Sequence, residues 1–254
     1  MNRKRFGRGI LAAVLAAGLL CWGRGTETAM AESGSFDIAG MALWKEAQER
    51  QRKLTETIAE MEGSWRLEYG GLQLGEDFCG QAELTGLGTE DMNGTISVTA
   101  GGKETAVSFR DGNVTVRDER GEKLLTSDPA VWSEISADFM NRTTYDLSCV
   151  SRLWVSGHKE DREDGSTVLS YELNGEAAAE QVEPLVGSWL KSRGITVSGE
   201  SGWLRLDRVL GELTVSASGY MAVDRIRAEV SIPLGKETGK GIFEICVVYP
   251  QAQC

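Results

Sequence analysis

Residues 107–118 read VSFRDGNVTVRD. Val107 and Phe109 flank Ser108, and Val114 and Val116 alternate with Thr115 and Arg117, so each run is a strand with one apolar and one wet face. Between the runs, Asp111-Gly112 is a dipeptide that accepts positive φ at both central positions of a two-residue hairpin. The same period of two extends outward in both directions. On the N-terminal side Ile96 and Val98 alternate with Thr95 and Ser97, and Trp65, Leu67 and Tyr69 with Arg66 and Glu68. On the C-terminal side the apolar positions are Tyr145, Leu147, Cys149, Leu153 and Val155, then Leu169, Tyr171 and Leu173. Leu213, Val215 and Ala217 lead to a turn at Ser218-Gly219, followed by Ala222, Ile226, Ala228, Val230 and Ile232. Gly235 to Gly241 reads as a further turn, and Phe243, Ile245, Val247 and Tyr249, opposite Glu244 and Cys246, complete some ten strands.

Three segments carry helical spacing. Leu43, Ala47, Leu54, Ile58 and Met61 fall on one stripe, which predicts a helix from Asp37 to Glu62 ended by Gly63. Pro129 after Asp128 opens a second, to Met140, with Trp132, Ile135 and Phe139 on one side. Ala178, Val182, Leu185 and Trp189 mark a third, from Glu176 to Ser192, which Pro184 is expected to kink. The charged run His158 to Gly165 reads as a solvated hairpin tip. No Pro/Ser-rich linker divides residues 32–254, so they form one domain of the α+β class. It is a large antiparallel half-barrel sheet covered on its concave face by about three helices.

The chain has 254 residues and a formal charge of −11. Residues 1–31 have the layout of a signal peptide: a basic start, the apolar run Ile10 to Leu20, and small residues at Ala29 and Ala31 before Glu32. The expected location is therefore secreted, or on the extracellular face of the cell envelope. Cys21 offers a lipid anchor as the minority reading, although Gly18-Leu19-Leu20 is a poor lipobox. Cleavage before Glu32 leaves a net charge of −15, which repels phosphate backbones and argues against a nucleic-acid partner. Four cysteines remain, Cys79, Cys149, Cys246 and Cys254, and in an exported chain at least one disulfide is expected among them. By alternation Cys149 and Cys246 fall on opposite faces, so that pair is not expected to bond directly.

Catalytic and metal motifs are near-misses. Ser188-Trp189-Leu190-Lys191 matches S-x-x-K, yet it ends an amphipathic helix and has no S-D-N partner. The single histidine, His158, sits in the most charged turn, a poor place to hold a general base. In the acidic tip Glu160 to Asp164, Lys159 and Arg162 interrupt the calcium-ligand pattern. No cysteine pair has metal spacing and no glycine-rich phosphate loop precedes a helix, so neither metal nor cofactor is expected, and no enzyme.

The order helix, hairpins, helix, long hairpin, helix, three long strands resembles the LolA/LppX-like group of envelope proteins. It is most similar to an uncharacterised family of secreted proteins and lipoproteins of Gram-positive bacteria. The stretches that carry the likeness are the helix Ala42 to Met61, residues 107–124 with their "strand, Asp-Gly, strand, Gly-x-Lys" pattern, and residues 213–226 with the strands to Tyr249. The resemblance implies a half-barrel closed by helices over a lipid-binding cavity, with a lipid or acylated lipoprotein as partner. Membrane contact would then come only through that ligand or an anchor at Cys21. The apolar face expected to line the cavity is Trp65, Phe109, Val116, Leu147, Tyr171, Leu213, Ile226, Phe243 and Ile245. The alternative is an extracellular sensor or interaction module whose sheet is a fully packed core.

Overall fold

The structure is a computed structural model that describes residues 38–51, 53–87, 89, 91–128, 150–192, 202–234 and 237–250. The signal peptide, Cys21, the helix expected at 129–140, Leu147, Cys149 and Cys254 lie outside the described residues. The described chain opens with helix α1 (Ile38–Gln51) and then forms a meander of six strands, β1 (Glu56–Tyr69), β2 (Leu72–Thr85), β3 (Asn93–Ala100), β4 (Lys103–Arg110), β5 (Asn113–Asp118) and β6 (Gly121–Thr126). After the one-turn helix α2 (Val150–Leu153) come β7 (Trp154–Asp161), β8 (Thr167–Leu173), helix α3 (Gly175–Ser192), β9 (Arg205–Val215), β10 (Met221–Leu234) and β11 (Glu237–Val248).

All eleven strands belong to one sheet in the order β6-β5-β4-β3-β2-β1-β11-β10-β9-β8-β7. Every neighbouring pair is antiparallel. Two meanders are thus stitched together by β1 against β11, with Trp65 opposite Phe243 and Glu62 opposite Cys246. The β4–β5 hairpin turns at Asp111-Gly112 as expected, with φ of 50° and 72°. This is the positive-φ pair that a two-residue turn joining right-twisted strands requires.

Several expectations are corrected. The first helix stops at Gln51, and Glu56 onward is β1; Ile58 is exposed on the polar face and Met61 is buried on the other. Residues 56–62 satisfy both periods, and hydrogen-bonding partners on either side, β2 and β11, decide for the strand. β2 and β6 are strands the sequence reading passed over, since Gly75 and Gly80 dilute the alternation in β2. Leu153 belongs to a helical turn, and the solvated tip narrows to residues 162–166, His158 to Asp161 being part of β7. Likewise Glu237 already belongs to β11, so the preceding turn is shorter than read. Helix α3 runs unbroken through Pro184. It is capped by Asn174, whose side-chain oxygen accepts from the Ala177 amide at 3.0 Å.

The sheet has one apolar and one polar face. On the apolar face α1 packs over β7, β8 and β10, and α3 over β9. Trp44, Leu169, Val209 and Leu213 are completely buried between them.

Candidate functional site

Residues directly opposite in a ladder point to the same side, so the registers carry a face from strand to strand. Trp65 faces Phe243; two residues along, Ile245 pairs with Ile226, Ile226 with Gly211, and Gly211 with Tyr171, with Leu213 next on β9. Across β2 and β3 the same side continues to Phe109 and Val116. All the described residues of the expected lining therefore share one face, spread over the sheet rather than gathered in one pocket. Trp65 and Phe243 are half-buried, and the others are buried.

That face is not evenly covered. At the β1–β2 hairpin Leu72 and Leu74 pair with Tyr69 and Leu67, so they are on the apolar side, yet they are 63% and 41% exposed. Beside them Phe78 and Phe243 stack with ring centroids 6.0 Å apart, both half-buried. Tyr69 reaches the last residue of β10 by donating its hydroxyl to the Leu234 carbonyl at 2.8 Å. Here the apolar face runs out into solvent, forming a mouth of large side chains.

The opposite end of the face holds polar groups. Tyr171 donates its hydroxyl to Asp224 Oδ1 at 3.0 Å in the buried interior. Asp224 lies on the apolar face, opposite Leu213 and Val247. Burial pushes its carboxyl up to about 7, against the opposing pull of the Tyr171 hydrogen bond. The sequence reading of β10 stepped over this residue. Its place in the alternation Ala222, Asp224, Ile226 is the signal that could have found it.

The polar face carries an open trough of about 920 Å³ running from β3 to β8. One of its walls is a register row: Cys79, Glu62, Cys246, Arg225, Glu212 and Ser170, with His158 of β7 next beyond Ser170. Arg225 pairs with Glu212 at 2.8 Å and Arg227 with Glu244, so neither guanidinium is free to hold an anion. Burial, reinforced by Glu62, pushes the Cys246 thiol above its ordinary value although Arg225 opposes it, so this sulfur is held as a thiol. Cys79 and Cys246 are both free, which corrects the disulfide expectation for these two. Each faces Glu62, so they stand two strand spacings apart, about 9.6 Å, beyond the reach of a disulfide.

No family model matches the chain, and no curated protein does. Among solved structures it is similar to a DUF1329 family protein from Desulfovibrio piger, at 12% identity over 83% of this chain and 92% of that one, with a TM-score of 0.28. A LolA superfamily protein from Nitrosomonas europaea matches at 10% identity over 81% and 90%, with a TM-score of 0.26. A domain from Vibrio parahaemolyticus described as an outer membrane lipoprotein-sorting protein matches at 7% over 83% and 92%, also with a TM-score of 0.26. With superpositions this loose, the α+β half-barrel assignment stands on strand order and register alone.

Proposed function

We propose that this chain is an exported, non-enzymatic envelope protein that takes up a lipid, or the acyl chain of a lipoprotein, along the apolar face of its sheet. The observation that supports this reading is the uncovered mouth, where Leu72 and Leu74 stand exposed beside half-buried Trp65, Tyr69, Phe78 and Phe243. Large apolar side chains gathered on an open surface mark a place that something apolar covers. Each methylene moved out of water contributes ~0.8 kcal/mol. A fourteen-carbon chain buried for most of its length therefore reaches micromolar affinity with no specific polar contact.

Native mass spectrometry of the exported protein should show co-purifying lipid, and a fluorescent acyl probe should bind at tens of micromolar or tighter. The double substitution Leu72→Asp with Leu74→Asp should abolish that uptake while leaving the melting temperature within about 2 °C, since both side chains are already in solvent. Lipid-free protein that ignores the probe would sink the reading. The interaction module with a fully packed core, which the completely buried Trp44, Leu169 and Leu213 favour, would then replace it.

A further inference from the structure

The mouth explains where a hydrocarbon chain would enter, but not the polar groups at the α1 end of the same face. Trp44 contacts both Trp154 and Tyr171, with ring centroids 6.2 Å away in each case, and Trp154 stacks on Tyr171 at 5.9 Å. Tyr171 holds Asp224, and Gln48 follows Trp44 one turn along the buried side of α1. Elements α1, β7, β8 and β10 thus bring Gln48, Trp154, Tyr171 and Asp224 into one neighbourhood. All four are more than nine-tenths buried.

Gln48 Nε2 and Trp154 Nε1 have no hydrogen-bond partner among the described residues. Buried donors left empty are rare in folded proteins, and a pair of them in one neighbourhood calls for an acceptor. We propose that these donors, with Asp224, receive a neutral oxygen-bearing head group, the ester, amide or hydroxyl of a lipid whose hydrocarbon lies along the apolar face. This inference rests on the acyl-binding reading and adds the chemical class of the ligand's head.

The preference for a neutral head follows from the charges around it. A carboxylate or phosphate would stand beside Asp224 with no unpaired cation among the described residues to offset the repulsion. Arg225 points to the polar face and is paired with Glu212. Arg50, at the end of α1, is engaged by Glu46 and the Ser218 carbonyl. No ion pair of Asp224 is found among the described residues. The rise of its carboxyl to about 7 is independent support, since it shows an interior that disfavours negative charge. An ester carbonyl, by contrast, accepts from Gln48 and Trp154, and a hydroxyl donates to the second Asp224 oxygen.

The test is displacement of a pyrene-labelled acyl methyl ester from the full exported chain at pH 8 by two competitors with the same hydrocarbon, monoolein and oleate. Monoolein is expected to compete about tenfold better, the factor that roughly one good hydrogen bond supplies. Gln48→Leu and Trp154→Phe should each weaken the labelled ester and monoolein together by about three- to tenfold, since each removes one donor to the head-group oxygen. Asp224→Asn, which is nearly isosteric, should narrow the gap by strengthening oleate. Far-ultraviolet circular dichroism verifies that each variant is folded, and a variant that is not is replaced in the comparison by Asp224→Asn. Equal competition by the two lipids, a ratio that Asp224→Asn leaves unchanged, or ester binding that neither folded donor variant weakens, overturns the head-group proposal while the acyl reading stands. A labelled ester that does not bind at all overturns both.

Discussion

Tyr171 shows how much rests on single side chains. Its ring lies across Gly211 of the next strand, where an added Cβ would sit 2.0 Å from Cζ. Gly211→Ala therefore has to push the ring away and break the bond to Asp224. The expected loss is about 2 kcal/mol or more, from overpacking together with a buried acceptor left unpaired, read as a lower urea midpoint. Asp224 itself makes stability depend on pH. Its folded value, about 7, lies above the 3.8 of a free aspartate, so the folded chain keeps a proton that the unfolded chain releases. The contribution is complete below pH ~4 and is lost as pH rises through ~7, on the order of 4 kcal/mol at ~1.36 kcal/mol per pH unit. Asp224→Asn should flatten that fall and leave the variant more stable than the parent at pH 8; urea titrations at pH 5 and pH 8 measure both. Alternation placed Tyr171 and Ile226 on the right face from the sequence. It could not show that a carboxyl shares that face, because a lone aspartate in a strand reads equally as a turn or a wet position until its ladder partners are known.

At the scale of elements, residues 54–62 are where the sequence was ambiguous. Leu54, Ile58 and Met61 fit a helical stripe, while Ala59 and Met61 fit alternation, and only the neighbouring strands choose between them. The difference is measurable. In β1, Ile58 is 46% exposed and Met61 only 4%. Ile58→Thr should change stability by no more than about 0.5 kcal/mol, whereas Met61→Ala should cost about 2 to 5 kcal/mol by opening a cavity. A helix would have charged for both. The β4–β5 hairpin was legible in full because Asp111-Gly112 allows few alternatives. β2 was not, since its two glycines are explained by neighbours far away in sequence: Gly75 lies against Arg66 and the Trp65 carbonyl, and Gly80 against the Ser97 carbonyl and Met61.

For the whole molecule, the decisive contact is the seam between β1 and β11, and alternation is blind to it, because a pattern assigns a face but not a neighbour. The seam joins Glu62 to Cys246 and Leu67 to Gly241, pairings far apart in sequence whose formation has to close a long stretch of chain. It also makes the apolar face continuous from the mouth at Leu72 to the aromatic cluster under α1, so any ligand lying along that face depends on it. Gly241 is the narrow point: a Cβ there would stand 2.2 Å from the Arg66 carbonyl oxygen and 3.2 Å from Leu67 Cα, both backbone atoms that cannot swing aside. Gly241→Val should therefore part the strands at the seam and weaken the β1–β6 and β7–β11 meanders together. The expected result is one unfolding transition, at lower denaturant than the parent, seen at the same midpoint by far-ultraviolet circular dichroism and tryptophan fluorescence. Two separated transitions would instead show that each meander holds its own fold, and that the sheet is two units pressed edge to edge rather than one.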